Sequence, residues 1–160
     1  MSSTWHTALS PAREVRPLRR EDVSRVLEIE RRGYSHPWSE GVFHDCFRSD
    51  YRLWALSEDG FLLGYAVVAY MVDEAHLLNL CVTPEVRRSG AGRLLLRHLI
   101  TLAAQEGMSR VVLEVRMGNQ TAADLYTSEG FEQIGIRPQY YPAAGEREAA
   151  RVMALSLPTS

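Results

Sequence analysis

Six consecutive residues, Arg87-Arg88-Ser89-Gly90-Ala91-Gly92, have the composition of a loop that holds phosphate. Two glycines two positions apart let a backbone turn tightly and approach a ligand closely. The loop N–H groups and the N-terminus of a following helix then aim at one point, which favours a pyrophosphate. Arg87, Arg88 and Arg93 add counter-charge beside it. The same letters also describe a tight turn before an ordinary helix. A dinucleotide fold is excluded on detail. Its fingerprint needs a glycine three positions after the second, and this chain has Leu95 there.

Two further side chains have usable proton chemistry. Glu114 interrupts the apolar run Val111-Val112-Leu113-Glu114-Val115. A carboxylate there is a candidate general base, and equally a residue on the solvated face of a strand. Tyr126 follows on the next helix. A phenol with pKa ≈ 10 keeps its proton at neutral pH and can give it to a leaving group. A helix tyrosine that only packs its ring fits the same position.

These residues need a scaffold. The 160 residues suit one domain, read as a flexible N-terminal extension over residues 1–13 and a single domain over 14–160. Val15–Leu18 reads as a first strand. Glu21 and Asp22 open a helix at its positive dipole end, and Gly33 closes it. Val23, Val26, Leu27 and Glu30 share one face of that helix. His36-Pro37-Trp38 is a break, and Ser39 caps a second helix to about Arg48.

Strands Arg52–Ser57 and Phe61–Met71 flank the hairpin signal Asp59-Gly60. After a turn at Asp73-Glu74, a strand His76–Val82 runs to Pro84 and the glycine loop. A helix from about Gly92 to Gln105 follows, ended by Gly107. Then come a strand Val111–Val115, a helix from Asn119 to about Glu129, a strand Phe131–Ile136, a loop with Pro138 and Pro142, and a last strand Arg151–Leu157. The order β-α-α-β-β-β-α-β-α-β-β predicts an α+β fold: a mixed central sheet of about seven strands covered by about four helices.

Composition narrows the chemistry. The formal net charge of −2 gives no global field toward nucleic acid or an anionic membrane, so neither is an expected partner. All 18 basic residues are arginine, which closes Schiff-base and P-loop lysine mechanisms. Cys46 and Cys81 form no CxxC and suit a reducing cytoplasm. His44-x-Cys46 is too small a set for a metal site, and no metal is expected. His6, His76 and His98 suggest no triad. No apolar run is long enough to span a bilayer.

The Arg-x-x-Gly-x-Gly loop after such a strand resembles the acetyl-CoA loop of the GNAT family of N-acetyltransferases. Asn119-Gln120-Thr121-Ala122-Ala123-Asp124-Leu125-Tyr126, followed by Gly130-Phe131, is similar to that family's second signature. The resemblance covers about Val15 to Leu157. A narrower resemblance, to the RimI-type branch, lies in His36-Pro37-Trp38-Ser39-Glu40, Leu78-Asn79-Leu80, Leu113-Glu114-Val115-Arg116 and Arg137-Pro138-Gln139-Tyr140-Tyr141-Pro142. Arg87 stands where glutamine is common in the family, and Thr83 where aspartate is frequent.

The resemblance implies acetyl-CoA as co-substrate. It implies an acceptor that is the N-terminal alanine of small-subunit ribosomal protein number eighteen, and a cytoplasmic enzyme expected as a monomer or weak oligomer. It implies Glu114 as proton acceptor and Tyr126 as proton donor. Acetyl-CoA would be held by Leu80, Cys81, Val82, the loop Arg87 to Arg93, Asn119 and Tyr126. Backbone N–H groups of Leu80–Val82 would meet the developing oxyanion. Trp38, Tyr140 and Tyr141 would line the peptide groove. Cys81 invites a covalent acetyl-enzyme, but a small buried strand residue is the preferred reading. Two other readings stay open: the same chemistry on another N-terminus, lysine or small amine, and a non-catalytic acetyl-CoA-binding module.

Overall fold

The structure is a computed structural model that describes residues 12–141 and 148–158, with side chains described for 12–138 and 148–158. Seven strands and four α-helices alternate in the predicted order. They are β1 Arg13–Pro17, α1 Val23–Gly33, α2 Glu40–Asp45, β2 Tyr51–Glu58, β3 Phe61–Met71, β4 Glu74–Val82, α3 Ala91–Gln105, β5 Arg110–Arg116, α4 Gln120–Ser128, β6 Glu132–Tyr141 and β7 Glu148–Ser156. Short 3₁₀ turns at Arg20–Asp22 and Pro84–Val86 precede α1 and the glycine loop. The strand order is β1-β2-β3-β4-β5-β7-β6. The pair β4–β5 is parallel, and β1–β2, β5–β7 and β6–β7 are antiparallel. The fold is therefore the expected mixed α+β sheet. Among the described residues no helix is long and apolar enough to cross a membrane.

The chain forms two compact units. Among the described residues the first takes 12–67 and 79–98, and the second takes 68–78, 99–141 and 148–158. In the first, Val26, Ile29, Phe43, Ala55, Tyr65 and Cys81 belong to one buried cluster. The packing around Cys81 is close. A Cβ on Gly33 would lie 2.7 Å from Cys81 Sγ, and one on Gly64 would lie 2.8 Å from the Cys81 carbonyl oxygen. In the second unit β7 pairs along all of β5, from Arg110↔Ser156 to Arg116↔Ala150. Leu113 and Met153 face each other across this ladder, and both are buried.

Several boundaries differ from the sequence reading; β1 begins at Arg13, inside the expected N-terminal extension, and β4 at Glu74 instead of His76. The second helix ends at Asp45, where Cys46 takes the C-cap, and does not reach Arg48. The last strand begins at Glu148 instead of Arg151. The largest difference is β6, which continues through Pro138 to Tyr141 where a loop was expected. Proline cannot donate to a ladder and is confined to edges and bulges. Both conditions hold here. β6 is the edge strand of the order, and its register shifts between Arg137↔Ala150 and Tyr141↔Glu148. Residues 1–11 of the expected N-terminal extension, and Pro142, lie outside the described residues.

Candidate active site

The glycine loop is built as its sequence requires. Thr83, 1% exposed, follows β4 and caps the 3₁₀ turn, and Arg32 of α1 clamps that turn. Arg32 Nη1 donates to Glu85 Oε1 at 3.0 Å and to Thr83 Oγ1 at 3.3 Å, and Arg32 Nη2 meets Glu85 Oε2 at 2.5 Å. The Arg32 guanidinium, then the Thr83 hydroxyl, hold the Glu85 carboxyl down at about 2. Thr83 therefore keeps a polar role at the position where aspartate was expected: its hydroxyl donates to Glu85 at 2.5 Å.

Arg88 then takes φ +64°, and Gly90 takes φ +86°. Left-handed backbone is cheap for glycine and costly for a side-chain-bearing residue. Nothing lies within 4 Å of a Cβ placed on Gly90, so its requirement is conformational. Ser89 Oγ donates to the Val86 carbonyl at 2.5 Å and accepts from Arg13 Nη1 at 3.2 Å. Helix α3 begins at Ala91, one residue earlier than expected, and the Leu94 N–H reaches the Gly90 carbonyl at 2.9 Å. Left-handed backbone at Arg88 and Gly90, a helix of 15 residues and the adjacent Arg87, Arg88 and Arg93 fit a pyrophosphate. Leu80, Cys81 and Val82 form the end of β4 in the same unit.

Cys81 is 7% exposed, and burial pushes its thiol up to about 11. At pH 7 about one in 10⁴ such thiols is ionised, and the thiolate is the nucleophilic form. Cys81 is thus a packing residue. The expected result is an intact mass that does not change when the protein meets acetyl-CoA without an acceptor. A gain of one acetyl group at Cys81 would restore the acetyl-enzyme route. Cys46 is also buried, with its thiol donating to the Val42 carbonyl at 3.2 Å and its pKa raised by desolvation.

Glu114 and Tyr126 belong to the second unit, with Asn119. Glu114 lies on β5 with a side chain 22% exposed, and Arg137 of β6 sits across from it, Nε to Oε1 3.4 Å. This ion pair was not legible beforehand, because Arg137 was assigned to a loop edge. Asn119 caps α4, its Oδ1 accepting from the Ala122 N–H at 3.2 Å. Glu148 of β7 fixes the turn before that cap: its Oε2 accepts from the Gly118 N–H at 2.7 Å, and its Oε1 meets Arg116 at 3.4 Å. Tyr126 is 8% exposed, and its ring stands edge-on to Phe131 with centroids 5.6 Å apart. The Tyr126 carbonyl also accepts from the Phe131 N–H at 3.0 Å. The Gly130-Phe131 pair of the motif therefore seats the Tyr126 ring.

Trp38 precedes α2 in the first unit, with its ring against Phe43 at 5.3 Å between centroids. Tyr140 and Tyr141 are within β6, and their side chains lie outside the described residues.

Residues 23–131 match the acetyltransferase (GNAT) family. This chain is a member of the GNAT family. As a GNAT protein it is an acyltransferase, of a family that uses acetyl-CoA. The [ribosomal protein bS18]-alanine N-acetyltransferase of Escherichia coli strain K12 is 38% identical over 136 residues, 85% of this chain and 92% of that enzyme. The enzyme of the same name from Haemophilus ducreyi is 38% identical over 138 residues, 86% of this chain and 95% of its own. The crystal structure of the Escherichia coli ribosomal-protein-S18-alanine N-acetyltransferase superposes with TM-score 0.88 at 36% identity, covering 93% of this chain and 96% of that one. Ard1 from Thermoplasma volcanium shares the GNAT fold, with TM-score 0.83 at 24% identity over 91% of this chain and 98% of its own.

Proposed function

We propose that this GNAT enzyme transfers an acetyl group from acetyl-CoA to the N-terminal alanine of ribosomal protein bS18, by direct attack of the α-amine on the thioester. The observation that carries this reading is the near-complete span of its likeness to the Escherichia coli enzyme, 92% of that sequence at 38% identity. A likeness confined to the acetyl-CoA loop would speak only for the donor.

Each residue then has a task. The loop from Arg87 to Arg93 binds the pyrophosphate through backbone N–H groups and guanidinium charge. Backbone N–H groups of Leu80, Cys81 and Val82 orient the donor and face the oxygen where charge develops. Asn119, which caps α4, turns its remaining donor capacity toward the pantetheine arm. Glu114 accepts the proton of the α-ammonium, and Tyr126 supplies one to the departing sulfur. Trp38, Tyr140 and Tyr141 receive the acceptor peptide. The base has a modest task, since a free α-amine has pKa ~7.7–8.0 and is partly neutral at pH 7.

The test is a panel of ribosomal peptides that differ at residue one, incubated with labelled acetyl-CoA, with the label located by mass. The alanine-starting bS18 peptide is expected to react at least about ten-fold faster than the same peptide blocked at its N-terminus and bearing an internal lysine, a difference of ~1.4 kcal/mol in barrier. Equal rates would move the acceptor to a lysine or another amine.

A further inference from the structure

Glu30 is the only buried charged side chain among the described residues, at 1% exposure. It lies on the same face of α1 as Val23, Val26 and Leu27, where the helix packs into the core. A carboxylate placed there is costly unless its oxygens are satisfied. Three donors converge on it. The Tyr65 hydroxyl of β3 and Asn79 Nδ2 of β4 (2.9 Å) both reach Oε1, and the backbone N–H of Trp38 reaches Oε2 at 2.9 Å. Both carboxylate oxygens accept, so each of the three donors finds an acceptor here.

The network continues from Asn79. Tyr34, which follows the end of α1, places its hydroxyl 3.1 Å from Asn79 Oδ1 and 3.1 Å from the Leu80 carbonyl. One end of the chain of bonds therefore holds the segment that carries Trp38. The other end holds Asn79 and Leu80 of β4. Both ends start from one helix, and all the groups belong to one unit.

We propose that Glu30 is a positioning residue that fixes the acceptor-side segment at Trp38 and the donor-side strand at Asn79–Leu80 in a single register. This rests on the reading that Trp38 meets the peptide and Leu80–Val82 meets the acetyl donor. Glu30 touches neither substrate. It acts through the backbone N–H of Trp38 and through the side chain of Asn79.

Glu30→Gln tests this, because the amide is the same shape and cannot accept from all three donors. With its oxygen kept toward Tyr65 and Asn79, its NH₂ faces the Trp38 N–H, two donors opposed. The acceptor segment is then released and the donor strand kept. The expected result is a rise of about five-fold or more in KM for the acceptor peptide, with Kd for acetyl-CoA within about two-fold of wild type. A purely structural role would lower the active fraction and so kcat, leaving KM alone. An unchanged acceptor KM would overturn the proposal.

Should Glu30→Gln fail to fold, Tyr34→Phe decides, since Tyr34 is 38% exposed and loses only its hydroxyl. It removes the hydroxyl's bonds to Asn79 and Leu80 while Asn79 keeps its bond to Glu30, so Kd for acetyl-CoA, which a lower active fraction would not move, is expected to rise about three-fold or more with acceptor KM held, and a wild-type Kd would sink the idea. The acceptor used is whichever the wild type prefers in the peptide panel. A wild type that favours another amine contradicts the bS18 reading and leaves this measurement intact. A wild type that favours the alanine peptide, with a Glu30→Gln variant of equal KM, contradicts only the positioning role.

Discussion

Tyr126→Phe is expected to lower kcat by about 10²-fold and to leave Kd for acetyl-CoA within about two-fold of wild type. The substitution deletes one oxygen. The ring keeps its edge-on contact with Phe131, and α4 keeps its Asn119 cap, so the unit folds as before. General acids contribute ~10²–10⁴-fold, and the lower end applies here for a chemical reason. A thiolate is a fair leaving group even unprotonated, and a phenol of pKa ≈ 10 is a weak acid that gives such a thiolate its proton with little driving force. Single-turnover rates check the result, since they isolate the chemical step from product release. Undiminished turnover would remove Tyr126 as the acid.

Glu114→Gln is expected to give the second large effect, with a change with pH as its signature. At pH 6.5 about one in twenty α-amines is neutral, given a pKa of ~7.7–8.0, and nearly all are at pH 9. A base matters most where the amine is protonated. The loss in kcat/KM is therefore expected to be about 10²-fold near pH 6.5 and to shrink above pH 8. The direction is fixed by the amine: as pH rises, solvent has already removed the proton that Glu114 would take. The ion pair with Arg137 is lost in this variant, but that side chain is 57% exposed and solvent already screens the pair, so the fold bears little of the change. A loss that is constant from pH 6.5 to 9 would assign Glu114 a role in packing or peptide binding instead.

Much of this was legible in the sequence, for reasons that differ by residue. The glycine loop, the Asn119 cap and the apolar face of α3 are set by neighbours along the chain, so spacing alone reveals them. The misreading of β6 came from a sound local rule. Pro138 does break interior strands, but β6 lies at an edge with a shifted register, and only the strand order says so. Glu30 is the instructive case. Its place on the apolar stripe of α1 was visible, and a charge there was a signal of buried polar chemistry. Its partners are 8, 35 and 49 residues away in sequence, so no local pattern could name them. The Arg137–Glu114 and Glu148–Gly118 contacts were hidden in the same way, since strand pairing and not sequence distance brings them together.

The close packing at Cys81 sets two different rules for how this sequence can drift. At Gly33 the obstacle to a larger residue is the sulfur of Cys81, 2.7 Å from where a Cβ would stand, and that is the tip of a side chain. Position 33 can therefore accept alanine if position 81 shrinks in the same lineage, so the two should trade volume as a pair. At Gly64 the obstacles include the Cys81 carbonyl oxygen at 2.8 Å and the Val82 Cα at 3.2 Å. These are main-chain atoms that every amino acid carries, so no substitution elsewhere makes room. Position 64 should stay glycine across descendants in which 33 and 81 have already moved together.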